Sequence, residues 1–321
     1  MAIVYTVSNL VDDTLTHLAG TAADELNLVN DALSIQAVNY VDTVTFTYEL
    51  GGCVPGCLLS IDDEIMYVLS TNESVSPQTA AVLRGQKGST PAAHLAAAII
   101  MVDPPWPRYS VMEVLRDEIR SWGPQVFSVV TKSITIQAGI SGYDLGDPSP
   151  VFERVRVFRD PPNFIGTNGI PWSGAGLPDD QSWPSIPAEI RRDQSTTAFP
   201  SGNALILKTN SLGTPSTVWV VYSKPFDVDT SWTDTTDCIA DIGMDTSDLD
   251  IVPLGAAWRL LAFRQPRRML TTIAGQPRDA QEIPPLAIMQ SALQFKEQRD
   301  SRLNDAEIRL LNRFPIEISI S

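Results

Sequence analysis

The apolar residues between Pro107 and Val130 are spaced as in a helix. Val111, Leu115, Ile119, Trp122 and Val126 recur at steps of four, four, three and four, which is one stripe with a 3.6-residue period. Ser110 stands where it can cap the first turn. A helix with such a stripe buries it, so this segment is expected at the centre of the fold. Two more helical runs follow, Asp250 to Gln265 and Pro285 to Phe314, with Trp258 and Leu261 among the apolar positions of the first. At the other end, Leu15, Leu18 and Ala22 or Ala23 begin a stripe that Leu26, Val29 and Leu33 resume after Gly20. That pattern predicts two short helices between Leu10 and Leu33.

From Thr43 the period changes to two, with Val44, Phe46 and Tyr48 alternating with Thr45, Thr47 and Glu49, the mark of a strand with one buried face. After the turn GGCVPG, the run LLSIDDEIMYVLS reads as a hairpin with Asp62 and Asp63 at its tip. AAVLRGQKGSTPAAHLAAAIIMV then supplies two strands across a glycine-rich loop. Pro104, Pro105 and Pro107 close this small module, whose strand spacing suits a barrel or sandwich. A second β-region runs from about Lys132 to Phe226 through KSITIQA, VFERVRVF, ALILKTN and STVWVVYSKPF. It is interrupted from residue 159 to 200 by a proline-rich stretch carrying Phe164, Trp172 and Trp183. A loop of that length is usually functional or disordered, and its tryptophans argue against plain disorder. We expect an extended arm that packs against something, such as a neighbouring copy.

These patterns together predict an α+β fold in which a helical core carries two inserted β-modules, one small and barrel-like, the other a β-sandwich. The expected division is an N-terminal helical segment (1–36), the small β-module (37–104), the central helix (105–131), the sandwich with its arm and an acidic loop (132–249), and C-terminal helices with a terminal strand (250–321). Val111, Leu115, Ile119, Trp122, Trp258 and Leu261 are expected to pack the helical core.

Composition narrows the function. With 321 residues, 43% hydrophobic content and a mean hydropathy of -0.01, the chain reads as soluble and globular, with one large domain or two to three small ones. No apolar run approaches the ~20 residues of a membrane span. The N-terminus MAIVYTVSNLVDD lacks a signal peptide's basic and apolar regions, so a cytosolic location without membrane contact is expected. Three cysteines suit a reducing compartment. A net charge of -15 argues against gripping nucleic acid. It leaves two readings, simple solubility or a wall past which DNA slides without sticking. Eight aspartates between Asp227 and Asp250, with no Lys or Arg among them, do not fit a calcium loop. They read as a solvated acidic loop ending at a helix cap, Asp250.

The motifs of catalysis are missing. His17 and His94 lie far apart, no HExxH, GxSxG or GxGxxG occurs, and GQKGST lacks the order of a phosphate loop. Cys53 and Cys57 have a metal-like spacing without a second pair and read as two ordinary thiols in a turn. Asp62, Asp63 and Glu64 suggest hydrolysis, against the commonplace that hairpin tips are acidic for solubility. No catalytic, cofactor or metal residue is therefore assigned. At the C-terminus, Ile316, Ile318 and Ile320 alternate with Glu317, Ser319 and Ser321 after Pro315. That strand either closes its own sheet or adds to the sheet edge of another subunit.

The stretch from Ser60 to Val102, with IDDEIMYV, VLRGQKGSTPAAH and AAAIIMV, resembles a small β-module of tailed-bacteriophage virion proteins. There an acidic strand pair precedes RG-x-x-GT-x-A-x-x-H. RYSVMEVLRDEIRSW and DIVPLGAAWRLLAFRQPRRM are similar to the paired core helices of phage head-to-tail connector (adaptor) proteins. The resemblance covers most of the chain in order, although simple adaptors lack the region from Lys132 to Phe226. It implies a homo-oligomeric ring, usually of twelve copies, that docks on the portal protein through a C-terminal extension. Such a ring meets the next neck or tail ring and passes DNA through an acidic lumen without specific binding. It implies a place in the virion neck, reached from the host cytoplasm during assembly. Phe314, Pro315, Ile316, Ile318 and Ile320 would be the docking residues, and Phe164, Trp172 and Trp183 the arm that clasps a neighbour. Two other classes stand beside it. One is a peripheral tail or baseplate protein whose sandwich binds host-surface carbohydrate on Trp172 or Trp183. The other is an enzyme using Asp62, Asp63 or Glu64.

Overall fold

The computed structural model describes residues 4–19, 26–49, 52–137, 139–146, 155–159, 186–208, 216–228, 232–262 and 287–313. The chain divides into two compact units, the first made of Met1–Glu118, Thr230–Asp237 and Leu249–Arg299, the second of Ile119–Asp229, Cys238–Asp248 and Asp300–Ser321.

The first unit opens with helix α1 (Val7–Ala19) and continues into strands β1 (Leu26–Leu28), β2 (Val41–Thr45), β3 (Leu58–Ile61), β4 (Glu64–Asn72), β5 (Thr79–Leu83) and β6 (Ile99–Val102). These form one antiparallel sheet in the order β1-β6-β3-β4-β5-β2. The sheet curls into a half-barrel whose edges are tied by the bridge between Val29 and Phe46. Two backbone hydrogen bonds flank that bridge, Asn30 N to Thr45 O at 2.8 Å and Thr47 N to Leu28 O at 2.9 Å. Alternation decides which side chains go inside: Val44 and Phe46 join Leu59, Ile61, Met66, Val68, Val82 and Ile100 in one buried cluster. Tyr48, expected on the same face, is 60% exposed because β2 has already ended at Thr45.

Helix α2 (Arg108–Ser121) belongs to this unit as far as Glu118, together with helix α3 over residues 251–262 and the part of α4 (Ala287–Arg313) up to Arg299. Val111 and Leu115 of α2 are fully buried, while Trp258 and Leu261 of α3 are only partly covered. Glu118 ties three helices. Its buried carboxylate receives Arg259 Nε at 2.6 Å and Arg299 Nε at 2.7 Å. Gly255 of α3 passes so close that an added Cβ would overlap the Glu118 carboxyl group. Lys296 of α4 lies over the Trp258 ring at 5.6 Å, and His17 of α1 meets Phe295 with ring centroids 5.5 Å apart.

The second unit holds strands β7 (Ser128–Ile136), β8 (Gly142–Asp144), β9 (Val155–Arg159), β10 (Ala188–Arg191), β11 (Ala204–Leu207) and β12 (Ser216–Lys224). They make two three-stranded antiparallel sheets, β10-β11-β8 and β7-β12-β9. One cluster fills the space they share, including Ile136, Leu145, Val157, Leu205, Val218, Val220 and Tyr222. Ile119 and Trp122 are buried in this unit, with Trp122 edge-on to Phe226 at 5.6 Å. Asp248 departs from the picture of a uniformly solvated acidic loop, since it is buried and ion-paired with Arg309 of α4.

Three expectations are corrected. An α+β fold with a helical core carrying two β-insertions does not describe the chain. The described residues hold roughly equal shares of helix and strand, and each β-region has its own buried cluster built by period-two alternation rather than leaning on a helical centre. Leu26, Val29 and Leu33 do not form a second N-terminal helix. Leu26 to Leu28 pair with β6, and Val29 and Leu33 bridge to Phe46 and His94, so tertiary pairing overrides a helical spacing in a short segment. The central helix stops at Ser121 instead of reaching Val130, because Gly123 takes a left-handed φ of 54° just before Pro124. The β-branched run after it becomes β7.

Gly255→Ala is predicted to lower stability by about 1–3 kcal/mol through overpacking against Glu118. Denaturant unfolding checks this; an unchanged midpoint would mean that α3 and Glu118 are not in close approach.

Candidate functional site

The tip of the β3–β4 hairpin is where the predicted chemistry lies and where the structure concentrates charge. Period-two alternation that sends Met66 and Val68 into the core also sends Glu64 inward, and the alternation of Ala80 and Val82 does the same for Arg84. Two opposite charges are thereby buried together, with Glu64 1% and Arg84 0% exposed. Burying an ion is costly unless every polar atom finds a partner. Here the pairing is bidentate: Arg84 Nε donates to Glu64 Oε1 at 2.7 Å and Nη2 to Oε2 at 2.8 Å. The remaining guanidinium protons go to Asp42 at 2.7 Å, the Ser34 carbonyl at 3.2 Å and the Ala92 carbonyl.

Glu64 collects three further donors from the following loop. The Gly85 N–H donates to Oε1 and the Ala92 N–H to Oε2, each at 3.0 Å, and His94 Nε2 lies 2.9 Å from Oε2. His94 is itself buried between two carboxylates, its Nδ1 lying 2.8 Å from Asp62 Oδ2. Both ring nitrogens therefore donate, which is the imidazolium form. Burial opposes that charge, but the hydrogen bonds to Asp62 and Glu64 outweigh it and hold the His94 pKa above the ordinary histidine value. Burial likewise works against the Glu64 carboxylate, yet the bonds from Arg84, His94 and Ala92 bring its pKa down to about 2. The loop from Arg84 to His94 is thus clipped to the hairpin at its two ends. Gly85, at φ 64°, is held by its backbone N–H with Pro91 packed against its Cα, leaving no room for a side chain.

Asp63 points to a different set of groups. It faces Asp234, with Arg108 and Arg116 of α2 and its neighbour Asp62 also acting on it. Arg108 in turn binds Asp12, the Ser8 hydroxyl at 3.0 Å and Asp234 at 3.5 Å. One oxygen of Asp63 and one of Asp234 are buried with no hydrogen-bond partner among the described residues. Burial first, and the Asp234 charge second, push the Asp63 pKa up to about 6.

The three acids of the tip therefore have separate tasks. Glu64 anchors the loop, Asp62 orients His94 while its side chain stays 60% exposed, and Asp63 is half-buried beside a second carboxylate, Asp234, within the field of Arg108 and Arg116. A carboxylate that accepts five hydrogen bonds at a pKa near 2 holds its proton too weakly for general acid–base work at neutral pH. The structure unites Asp62 and Glu64 with His94 and Arg84, a convergence that reading the motif residues one by one missed. The signal was present: a lone Arg in phase with Ala80 and Val82, and a Glu in phase with Met66 and Val68, mark charges on the core face of neighbouring strands. The expected arm residues Phe164, Trp172 and Trp183 and the docking residues Phe314, Pro315, Ile316, Ile318 and Ile320 lie outside the described residues. No helix among the described residues is long and apolar enough to cross a membrane. Comparison with protein-family models and with curated proteins finds no match.

Glu64→Gln is predicted to cost about 3–5 kcal/mol, since it removes the buried carboxylate that Arg84 and His94 share and leaves each with one, partly exposed, countercharge, Asp42 and Asp62. Urea unfolding at neutral pH measures this, and a loss under about 1 kcal/mol would contradict the anchoring role. The Asp63 carboxyl has its folded pKa raised from 3.8 to about 6. Its stabilising contribution is present below pH 3.8 and is lost as pH rises through 6. Asp63→Asn should therefore be more stable than the parent at pH 7, by on the order of 1 kcal/mol, with the difference vanishing near pH 4. A difference that does not change with pH would contradict this account.

Proposed function

We propose that this protein is a structural component of a phage virion, a head-to-tail connector that assembles as a homo-oligomeric ring beneath the portal and lets DNA pass. The observation that carries the reading is the RGQKGSTPAAH loop held on the acidic hairpin. The residues that give the loop its resemblance to phage virion β-modules, Arg84, Gly85 and His94, share one physical task here, the neutralisation of Glu64. Ser89 stands where the pattern has threonine and Pro91 where it has alanine; Ser89 Oγ accepts the Ile65 N–H at 2.9 Å, as a threonine hydroxyl would. The net charge of -15 supports a channel wall that repels phosphates.

In this reading the task is assembly rather than catalysis, with no cofactor. The partners are twelve copies of the chain itself, the portal protein, the next neck or tail ring, and DNA in transit without specific binding. The site of action is the virion neck, after synthesis in the host cytoplasm. Phe314, Pro315, Ile316, Ile318 and Ile320 add a strand to the portal, and the arm with Phe164, Trp172 and Trp183 clasps the adjacent subunit.

Solution mass by light scattering and negative-stain imaging, with and without purified portal, test the reading. The expected result is a ring of about twelve copies, formed alone or on the portal. A stable monomer or trimer indifferent to portal would overturn it in favour of a peripheral tail protein whose sandwich binds carbohydrate. Truncation after Arg313 should leave a folded protein that no longer joins heads to tails, and wild-type joining by that variant would remove the docking role from the terminal strand.

A further inference from the structure

Cys53 and Cys57 lie in the connection from β2 to β3, and the backbone there brings them together. Cys57 N donates to the Val54 carbonyl at 3.1 Å, and Gly56 has a φ of 98°. Proline second and a left-handed glycine third are the signature of a type II turn over Val54-Pro55-Gly56-Cys57. That turn is pinned to β4 by Gly56 N to Val68 O at 2.9 Å and Val68 N to Cys57 O at 3.0 Å. Cys53 immediately precedes it. The two sulfur atoms consequently sit 3.8 Å apart, with the Cys57 thiol directed at Cys53 Sγ. Both side chains belong to the buried cluster of the half-barrel, Cys53 at 1% and Cys57 at 8% exposure. Cys238 belongs to the other unit and is fully buried.

We propose that Cys53 and Cys57 are an intramolecular disulfide site, taking as oxidant a small-molecule disulfide such as oxidised glutathione. The sulfurs need to close by about 2 Å to reach bonding distance, a shift within reach of side-chain rotation on a fixed turn. Cys57, the more exposed, reacts first. Its thiol gives up a proton, the thiolate attacks one sulfur of the oxidant, the oxidant's S–S bond breaks, and one glutathione leaves as the thiol. Cys53 then loses its proton and attacks the Cys57 sulfur of the mixed disulfide, expelling the second glutathione. Two protein thiols are oxidised to one disulfide while one oxidised glutathione is reduced to two thiols. The product fastens the start of β3 across the base of the turn. A chain made in a reducing compartment would acquire this bond on reaching an oxidising one. The inference does not depend on the connector reading.

The test uses the full-length protein incubated with oxidised glutathione, followed by intact mass, alkylation under denaturing conditions and peptide mapping. The expected result is a mass loss of about 2 Da, with a Cys53–Cys57 cross-linked peptide. Titratable thiols should fall from the three of the sequence to one. Cys238→Ser should undergo the same conversion, and Cys53→Ser should stop at a glutathione adduct on Cys57. Three thiols remaining in the wild type, a wild-type adduct on Cys57 that never resolves, or a bond involving Cys238 or a second chain would each overturn the proposal. Because the wild-type mapping decides the matter, the result stands even if a variant fails to fold.

Discussion

Glu64 places a negative charge on the core-facing side of β4, and most of the loop that follows β5 is arranged around satisfying it. A buried carboxylate has no water to turn to, so its oxygens must be filled by the protein. Arg84 supplies the countercharge in a two-pronged geometry, two backbone N–H groups and His94 complete the set, and Asp42 and Asp62 balance the surplus positive charge. A core of aliphatic residues would be as stable or more so. The ionic cluster contributes position. Together with the backbone bonds from Arg84 N to Tyr40 O and from His94 N to Leu33 O, it fixes where the two ends of the loop from residue 84 to 94 lie.

The same logic appears twice more in the first unit at different depths. Glu118 draws Arg259 and Arg299 onto α2, and Gly255 is small because the carboxyl occupies the space a side chain would need. Asp63 is the unbalanced case. Its neighbours include another carboxylate, so it resists ionisation where Glu64 does not. Three acids with similar chemistry thus behave differently according to what faces them, and a chain with a net charge of -15 spends a notable share of its arginines on internal acids.

Much of the β-structure was legible from alternation. The hairpin turning at Asp62 and Asp63, the strands on either side of the glycine-rich loop and the long strand ending at Lys224 all follow from period-two patterns flanked by turn residues. The N-terminal segment was not, because Leu26, Val29 and Leu33 fit a helical stripe as well as a strand, and only pairing with Ile99–Met101 and Phe46 decides between them. Reading a helical core from strong stripes also overestimated what helices do here: a stripe shows that one face is covered, not that the covering element is another helix. Within the charged site, Glu64 was visible as an acid but not as a buried one. Its partners are 20 and 30 residues away, so the cluster appears only when β4 and β5 are placed side by side.

The central claim is that His94 is held as an imidazolium between Asp62 and Glu64, and nitrogen NMR of the ring reads this directly. In uniformly labelled protein at a pH just above the ordinary histidine pKa, the histidine resonances absent from a His94→Gln variant should show both ring nitrogens protonated and slow to exchange with solvent. A neutral ring with a single protonated nitrogen under those conditions would contradict the account, since either Asp62 or Glu64 would then face a ring nitrogen with no proton to donate.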